Sequence, residues 1–375
     1  DVAQADGRGE SVSKGSICGM AMTLSAVLGV GSALLLWPFI SQVTALLGAL
    51  GDIGGAADAY IRIRLIGSPA ILVTIAGFGA LRGVQLMKIP LWIAIGVNAL
   101  NIVLDALLIF GWGPVPAFGI EGAAAATSIS QWVGAATTWI VVHRTLGARV
   151  AWEWERVKQL FRVGGDLFFR TAALTLFLII GTREATRLGA EAGAAHQAIR
   201  QFWIFTALFL DSFAIAGQSL VGFYVGNDRI QTARRVARTI LELATGVGVV
   251  LMIVMWVGED VMARMLVPES ARYLFGSAWL LALLFQPLNA LAFGTDGIHW
   301  GTGDFRFLRD ATVVATLVGG STLIILSQLD MLTLSWVWGV TGAWIMIRVL
   351  FGVGRIWPGS TKAPLGRFAS LPENG

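Results

Sequence analysis

The chain has 375 residues, of which 56% are hydrophobic and only 13% are charged, with a formal net charge of +4. Because roughly a quarter of the residues in soluble globular proteins are charged, this composition excludes an ordinary soluble enzyme. The apolar residues form long unbroken blocks instead of the alternation over about ten residues that marks a membrane barrel, so we predict an all-α polytopic membrane protein.

The first apolar blocks predict four membrane-spanning helices, near residues 16–47, 62–82, 90–111 and 118–142. Each block is long enough to cross about 30 Å of hydrocarbon as an α-helix. Residues 1–142 are therefore predicted to form an amino-terminal bundle of four spans.

The most charged stretch of the chain, residues 143–163, follows this bundle. It combines Arg, Lys and Glu residues with Trp152 and Trp154. Basic residues beside tryptophans are typical of helices that lie in the membrane interface, so we predict a cytoplasmic linker that contains an interfacial helix.

Six further blocks predict a carboxy-terminal bundle over residues 164–353, with spans near 164–182, 195–225, 236–257, 272–296, 308–328 and 331–353. Residues 354–375 are predicted to form a cytoplasmic tail. Most of the 27 Lys and Arg residues fall in the amino-terminal segment, the even-numbered loops and the tail. The positive-inside rule then places both ends of this chain in the cytoplasm, as a multi-pass protein of the plasma (inner) membrane.

Landmarks that recur at one offset suggest that the two bundles are repeats. The number of residues between Pro69 and Pro287 equals the number between Gly83 and Gly301. Two parallel six-helix repeats are typical of secondary transporters, and a bundle of four spans lacks two helices by this comparison. We therefore expect ten spans of a twelve-span protein, with the first two helices absent from this sequence.

The third block, NALNIVLDALLIF, carries Asn98, Asn101 and Asp105. Spacings of three and four residues put these side chains on one helical face. Asn101 and Asp105 are able to offer an amide oxygen and a carboxylate to a hard cation, or to hold a carboxyl group that titrates. The alternative, that they bridge neighbouring helices, stays open on the sequence alone.

The second bundle also contains ionisable residues inside apolar blocks, and such residues are functional candidates by default. Asp211 lies in the middle of LFLDSFAIAGQ, and Asp296 lies in LAFGTDGIHWGTG. Asp166 and Arg170 in GGDLFFR are four residues apart, which predicts an ion pair within one helix. The candidate residues of this bundle are Asp211, Asp296 and Arg170.

The sequence contains no motif for nucleotide binding, metal binding or an intramolecular disulfide. It has no Walker loop of the GxxxxGK[ST] type, its three histidines are far apart, and its one cysteine, Cys18, lies in an apolar block. We therefore expect neither an enzyme nor an ATP-driven pump, and no cofactor or nucleic-acid partner. The expected partners are the lipid bilayer and a small organic molecule, and the expected state is a monomer driven by an ion gradient.

Five runs appear in order along nearly the whole chain: RIRLIGSPAILVTIAGFGALRGVQ, NALNIVLDALLIFGWG, GIEGAAAATSISQW, AAHQAIRQFWIFTALFLDSFAIAGQSLVG and FQPLNALAFGTDGIHWGTGDFRFLRDATVVATL. They resemble the multidrug and toxic compound extrusion (MATE) family, in particular its DNA-damage-inducible protein F (DinF) branch. The resemblance implies two six-helix bundles that export organic, often cationic, amphiphiles in exchange for protons or sodium ions.

The same resemblance implies a cation or proton site in the amino-terminal bundle. In the family this site uses an Asp on the first helix, an Asn and an Asp one turn apart on the fifth, and a Thr on the sixth. Asn101, Asp105 and Thr127 match the last three positions, and Ala123 matches a position that contributes its carbonyl oxygen. Na⁺ or H⁺ is accordingly expected at Asp105, while the Asp of the first helix would lie in the missing segment.

Three alternatives to an exporter remain at this stage. A lipid-linked oligosaccharide flippase of the same superfamily usually lines its cleft with several arginines, whereas only Arg170 and Arg200 lie mid-span here. A scaffold or receptor that does not transport would need no carboxylates inside both bundles. An inactive truncated fragment is the third alternative.

Overall fold

The computed structural model describes residues 2–46, 49, 51–149, 154–356 and 365. Within this part the chain is almost entirely helical, and its one isolated β-bridge joins Trp112 to Val115. Contacts divide the chain into two units, Asp1–Val157 and Lys158–Gly375. The predicted all-α membrane fold is confirmed, because apolar side chains face outward along most of the long helices while backbone hydrogen bonds are satisfied inside each helix.

Unit 1 contains six helices in its described residues: α1 (Val2–Gly7), α2 (Ser11–Leu36), α3 (Ile40–Leu46), α4 (Gly51–Gly83), α5 (Lys88–Phe110) and α6 (Gly119–Leu146). A short 3-10 turn at Trp37–Phe39 joins α2 to α3. The central helix α4 packs against α2 and α6, and α5 packs against α6. The first predicted span therefore comprises α2 and α3 together.

Unit 2 contains the remaining helices of the described chain: α7 (Trp154–Arg187), α8 (Ala190–Gly226), α9 (Ile230–Val257), α10 (Glu259–Leu266), α11 (Arg272–Leu284), α12 (Gln286–Thr302), α13 (Phe305–Gln328) and α14 (Leu334–Ile356). Its core is built from aromatic side chains, with the rings of Phe177 and Trp344 stacked at a centroid distance of 4.5 Å. The Trp344 indole also donates to Thr316 Oγ1 at 3.2 Å. These contacts fix α14 against α7 and α13.

A helix occupies each of the ten predicted spans, but not every one of these helices is long and apolar enough to cross a membrane by itself. In the described residues, eight helices are long and apolar enough to cross a membrane, and a ninth span arises if Glu269–Leu284 and Gln286–Thr302, bent by 43°, are counted together. Helix α6 is 28 residues long, but its Ala, Gly, Ser and Thr residues make it less apolar than the others.

The linker and the tail differ in part from their predicted form. Residues 150–153, with Trp152, lie outside the described residues, and Trp154 begins a helix that runs unbroken to Arg187. From Trp154 onward, no interfacial helix is separate from the span, because Glu, Arg, Lys and Gln are good helix formers and extend the span. Most of the predicted tail lies outside the described residues, except that α14 continues to Ile356 and the Leu365 carbonyl accepts a hydrogen bond from Arg234 Nε at 2.9 Å.

Candidate functional site

Three of the four residues predicted in unit 1 meet between α5 and α6. The Asn101 amide nitrogen lies 3.5 Å from Thr127 Oγ1, which is a long hydrogen bond. The Thr127 hydroxyl in turn donates to the carbonyl oxygen of Ala123 at 2.9 Å. Asn101, Thr127 and Ala123, together with Asp105, are called the α5–α6 polar site below.

Asp105 lies one turn beyond Asn101 on α5 and is half-buried. In the part of the chain that the structure describes, its carboxylate forms no hydrogen bond or ion pair. Asn98, the third polar residue of this face, donates to the Ala94 carbonyl of its own helix at 2.8 Å. The carboxylate that remains for a ligand on this face is therefore that of Asp105.

A glycine allows α5 and α6 to approach closely at this site. A β-carbon added at Gly122 of α6 would lie 2.3 Å from the carbonyl oxygen of Leu108 in α5, closer than any non-bonded contact. Gly122 immediately precedes Ala123, and Leu108 lies one turn beyond Asp105. The close contact of the two backbones thus holds the facing polar groups in register.

The chemistry of this arrangement is that of oxygen ligands. A carboxylate, an amide oxygen, a hydroxyl and a backbone carbonyl are the groups that hard cations prefer, and a lone carboxylate in an apolar setting also binds a proton. The site is able to hold a monovalent cation or to titrate, and the geometry alone favours neither.

Sequence reasoning missed a positive charge next to this site. Arg64 of α4 donates to Gln131 Oε1 at 3.0 Å and lies 3.5 Å from Ser128 Oγ. Gln131 is one turn from Thr127 on the same face of α6. The predicted span begins near residue 62, but α4 begins at Gly51, so Arg64 lies well inside the helix. The signal was an arginine within the apolar run RIRLIGSPA.

In unit 2, Asp296 is brought together with two arginines from other helices. Arg170 of α7 and Arg348 of α14 both donate to the same carboxylate oxygen of Asp296 in α12, and the Arg348 Nη2 to Asp296 Oδ2 distance is 2.8 Å. These three residues are called the arginine–aspartate cluster. Asp296 and Arg170 are site residues predicted from the sequence, whereas Arg348 is not among them.

The predicted ion pair between Asp166 and Arg170 is not formed in the described residues. Asp166 instead accepts from Arg309 of α13 at 2.5 Å, while Arg170 turns to Asp296. A spacing of four residues permits a pair on one helix, but contacts of that kind are weak, and carboxylates or cations from neighbouring helices compete with them. Asp166 and Arg170 are each about 7% exposed, and their ion-pair partners lie on other helices.

A glycine also positions Asp296. A β-carbon added at Gly297 would lie 2.2 Å from the carbonyl oxygen of Ala214, so α12 touches the backbone of α8 directly. Asp211, the other predicted carboxylate, lies half-buried on α8 and is not an ion-pair partner of Arg170 or Arg348. The structure does not bring Asp211 into the cluster.

Two further charged groups in unit 2 were not predicted. Glu184 is fully buried and accepts from Ser327 Oγ at 2.6 Å. Asp304, between α12 and α13, accepts from Arg355 Nε at 2.9 Å and lies 3.7 Å from His299 Nδ1. Burial opposes ionisation of Asp304, but the contacts with His299 and Arg355 outweigh it, so the pKa of Asp304 lies below its ordinary value.

The chain matches the family model described as MatE over residues 2–107 and 167–324. It is 31% identical over 319 residues to Protein DETOXIFICATION 44, chloroplastic, of Arabidopsis thaliana, covering 84% of this chain and 60% of that protein. The chain therefore spans less than two thirds of the length of that relative.

Two further comparisons concern the branch of the family and the fold of the chain. The chain is 25% identical over 351 residues to DNA damage-inducible protein F of Escherichia coli (strain K12), covering 89% of this chain and 72% of that protein. A MOP superfamily transporter from Pyrococcus furiosus has a similar structure, with a TM-score of 0.85 at 22% identity, covering 95% of this chain and 81% of that one. The structural likeness places the fold among those of such transporters.

Proposed function

This chain belongs to the MatE family, and on that premise we propose that it is an ion-coupled secondary transporter that exports organic molecules by alternating access. The expected cargo is a drug or another amphiphile, often cationic, and the coupling ion is H⁺ or Na⁺. The similarity to a protein named for detoxification supports this direction of transport. The five sequence runs further support membership of the DinF branch.

The observation that carries the proposal is the carboxylate of Asp105 in the α5–α6 polar site. It lies inside a membrane helix, next to the contact between Asn101 and Thr127, without an ion pair in the described residues. An ionisable residue in that position is costly unless it serves binding or transport. Binding of an ion there would favour one conformation of the transporter over another.

Coupling follows from that difference in affinity. A ligand shifts a conformational equilibrium only by the difference in its binding free energies for the two states, which is about 1–3 kcal/mol in typical coupled systems. If the ion and the substrate prefer different conformations, binding of one releases the other. The ion gradient then drives export without a nucleotide.

The test is Asp105→Asn in the protein reconstituted into vesicles, with efflux of a cationic dye as the readout. Asn keeps the shape of Asp but cannot carry the charge that binds Na⁺ or accept the proton that a carboxylate accepts. We expect gradient-dependent efflux to fall to the rate measured without a gradient, at equal abundance in the membrane. Separate proton and sodium gradients identify the coupling ion.

Asp330→Asn is the matched control, because Asp330 is an exposed carboxylate in the loop between α13 and α14. Asn also tolerates the positive φ of 53° at this position. This variant should export at the wild-type rate. Equal rates for Asp105→Asn and wild type would assign Asp105 a structural role, and dye retention by wild type under both gradients would refute the proposed function.

A further inference from the structure

The arginine–aspartate cluster holds more positive than negative charge. Arg170 and Arg348 share one carboxylate, and the three residues are 7%, 8% and 4% exposed in the order Arg170, Arg348, Asp296. An arginine side chain does not lose its proton in proteins, so both guanidinium groups are charged. The cluster therefore carries one uncompensated positive charge.

Two other carboxylates of unit 2 have ion-pair partners outside the cluster. Asp166 pairs with Arg309 at 2.5 Å, and Asp304 pairs with Arg355 at 2.9 Å. In the part of the chain that the structure describes, Asp296 is the one carboxylate that forms an ion pair with Arg170 or Arg348. Rearrangement of the second pair would leave Arg355 without its ion-pair partner.

Several N–H groups of the cluster also have no acceptor. Within the described residues, Nε of Arg170, Nε of Arg348 and Nε1 of Trp300 are buried without a hydrogen-bond partner. Trp300 belongs to the same cluster, because the Arg170 guanidinium lies 5.2 Å from the centre of its ring. All three groups are hydrogen-bond donors, so each of them lacks a hydrogen-bond acceptor.

The aromatic rings stabilise the guanidinium groups but do not neutralise them. Arg348 lies over Trp344 at 4.7 Å, in the same manner as Arg170 over Trp300. A cation over an aromatic face gains electrostatic attraction, yet the ring accepts none of the in-plane N–H bonds. A buried charge and buried donors without acceptors both destabilise the folded protein.

We propose that this cluster binds a monovalent anion of the size of chloride or of a single carboxylate group. The excess positive charge supplies the attraction, and the N–H groups of Arg170 and Arg348, which meet at Asp296, supply the hydrogen bonds. The burial of all three charged residues limits the ligand to a small group. The proposal is independent of export, because it concerns binding in the absence of any gradient.

The experiment measures the thermal unfolding of the whole protein in detergent with sodium chloride, sodium acetate or sodium gluconate at equal ionic strength. Gluconate is the bulky reference anion. Chloride or acetate at about ten times its dissociation constant should raise the unfolding midpoint by roughly 2 °C over gluconate. A higher unfolding midpoint in chloride shows that an inorganic halide is sufficient to bind. A higher midpoint in acetate alone shows that the ligand is a carboxylate, and either result supports the site.

Three variants make the test specific. Arg348→Gln removes the excess charge, so the difference between chloride or acetate and gluconate should vanish. Asp296→Asn doubles the excess charge, so the same difference should grow. Arg238→Gln is the matched control, since Arg238 lies in the same unit and forms an exposed ion pair with Glu242 at 2.7 Å, and it should keep the wild-type difference.

An unchanged anion effect in Arg348→Gln would overturn the proposal, as would identical midpoints of wild type in all three salts. If Arg348→Gln does not fold, the width of the chloride-35 resonance in the presence of wild type and Asp296→Asn decides the question. Saturable broadening that is stronger in Asp296→Asn supports the anion site. Broadening that is equal in Asp296→Asn and wild type, or absent from both, overturns it.

Discussion

Three aspartates of this protein show how the same side chain takes different roles in different surroundings. Asp105 has no ion pair in the described residues, Asp296 is shared by two arginines, and Asp304 lies between His299 and Arg355. A carboxylate without a cation is available to bind an ion, whereas one held by two guanidinium groups already has its partners. Asp105 is accordingly suited to coupling, and Asp296 is not.

Asp304 is expected to make stability depend on pH. Its pKa is lowered in the folded protein, so the ionised form stabilises the fold above the unfolded pKa, and this stabilisation is lost as the pH falls through the folded pKa. Asp304→Asn should therefore lower the thermal unfolding midpoint at pH 7, with the difference from wild type narrowing below about pH 4.

The control for this measurement is Asp228→Asn, which changes an exposed carboxylate in the loop between α8 and α9. It should leave the midpoint close to that of wild type at every pH. A difference between Asp304→Asn and wild type that stays constant from pH 7 to pH 3 would show that the Asp304 charge does not stabilise the fold.

At the scale of the helices, both candidate sites depend on a contact in which a glycine of one helix meets the backbone of another. Gly122 places α6 against α5 beside the α5–α6 polar site, and Gly297 places α12 against α8 beside Asp296. Membrane helices gain no hydrophobic driving force from each other, so small residues that permit close packing decide which faces meet. The polar side chains then take the positions that this packing leaves them.

Gly297→Val should destabilise unit 2. Its β-carbon would lie 2.2 Å from the Ala214 carbonyl oxygen, and both atoms belong to helix backbones that cannot move independently. Overpacking of this kind costs roughly 1–3 kcal/mol or more, so we expect a lower unfolding midpoint and a lower abundance of folded protein.

Gly246→Ala is the matched control, since Gly246 also lies inside a helix but has open space where a β-carbon would be. Alanine favours a helix over glycine by up to about 1 kcal/mol, so this variant should be neutral or slightly stabilised. A Gly297→Val protein as stable as wild type would show that α8 and α12 are not in the close contact described.

At the scale of the whole molecule, the distribution of Lys and Arg predicts which loops face the cytoplasm. The loop between α8 and α9 contains Asn227, and the loop before α11 contains Ser270; both residues are exposed. Helix α9 is long and apolar enough to span the membrane between these two loops. They should therefore lie on opposite sides, with Asn227 in the cytoplasm.

Single cysteines test this orientation. Cys18 is 1% exposed and is replaced by Ser, after which Asn227→Cys or Ser270→Cys is the only thiol. A membrane-impermeant thiol reagent added to intact cells should label Ser270→Cys, and should label Asn227→Cys only after the membrane is opened. Labelling of Asn227→Cys alone in intact cells would reverse the predicted topology, and labelling of both would exclude α9 as a span.

Sequence by itself determined the class of the fold, because hydrocarbon accepts only long apolar helices or closed barrels, and the length of each apolar block is read without knowing its neighbours. It also determined the shared face of Asn101 and Asp105, since side chains four residues apart on a helix always lie on one side. The approach of Thr127 to Asn101 was expected from resemblance, not from any local rule.

Only the tertiary structure decided the partners of the charged residues. The sequence placed Asp166 beside Arg170 and left Arg348 near the cytoplasm, whereas the fold pairs Asp166 with Arg309 and gives both Arg170 and Arg348 to Asp296. Spacing along the chain sets which pairs are reachable on one helix. The choice between that pair and a partner from another helix depends on which backbones pack together and which charges they bury, and those distances exist only in the folded protein.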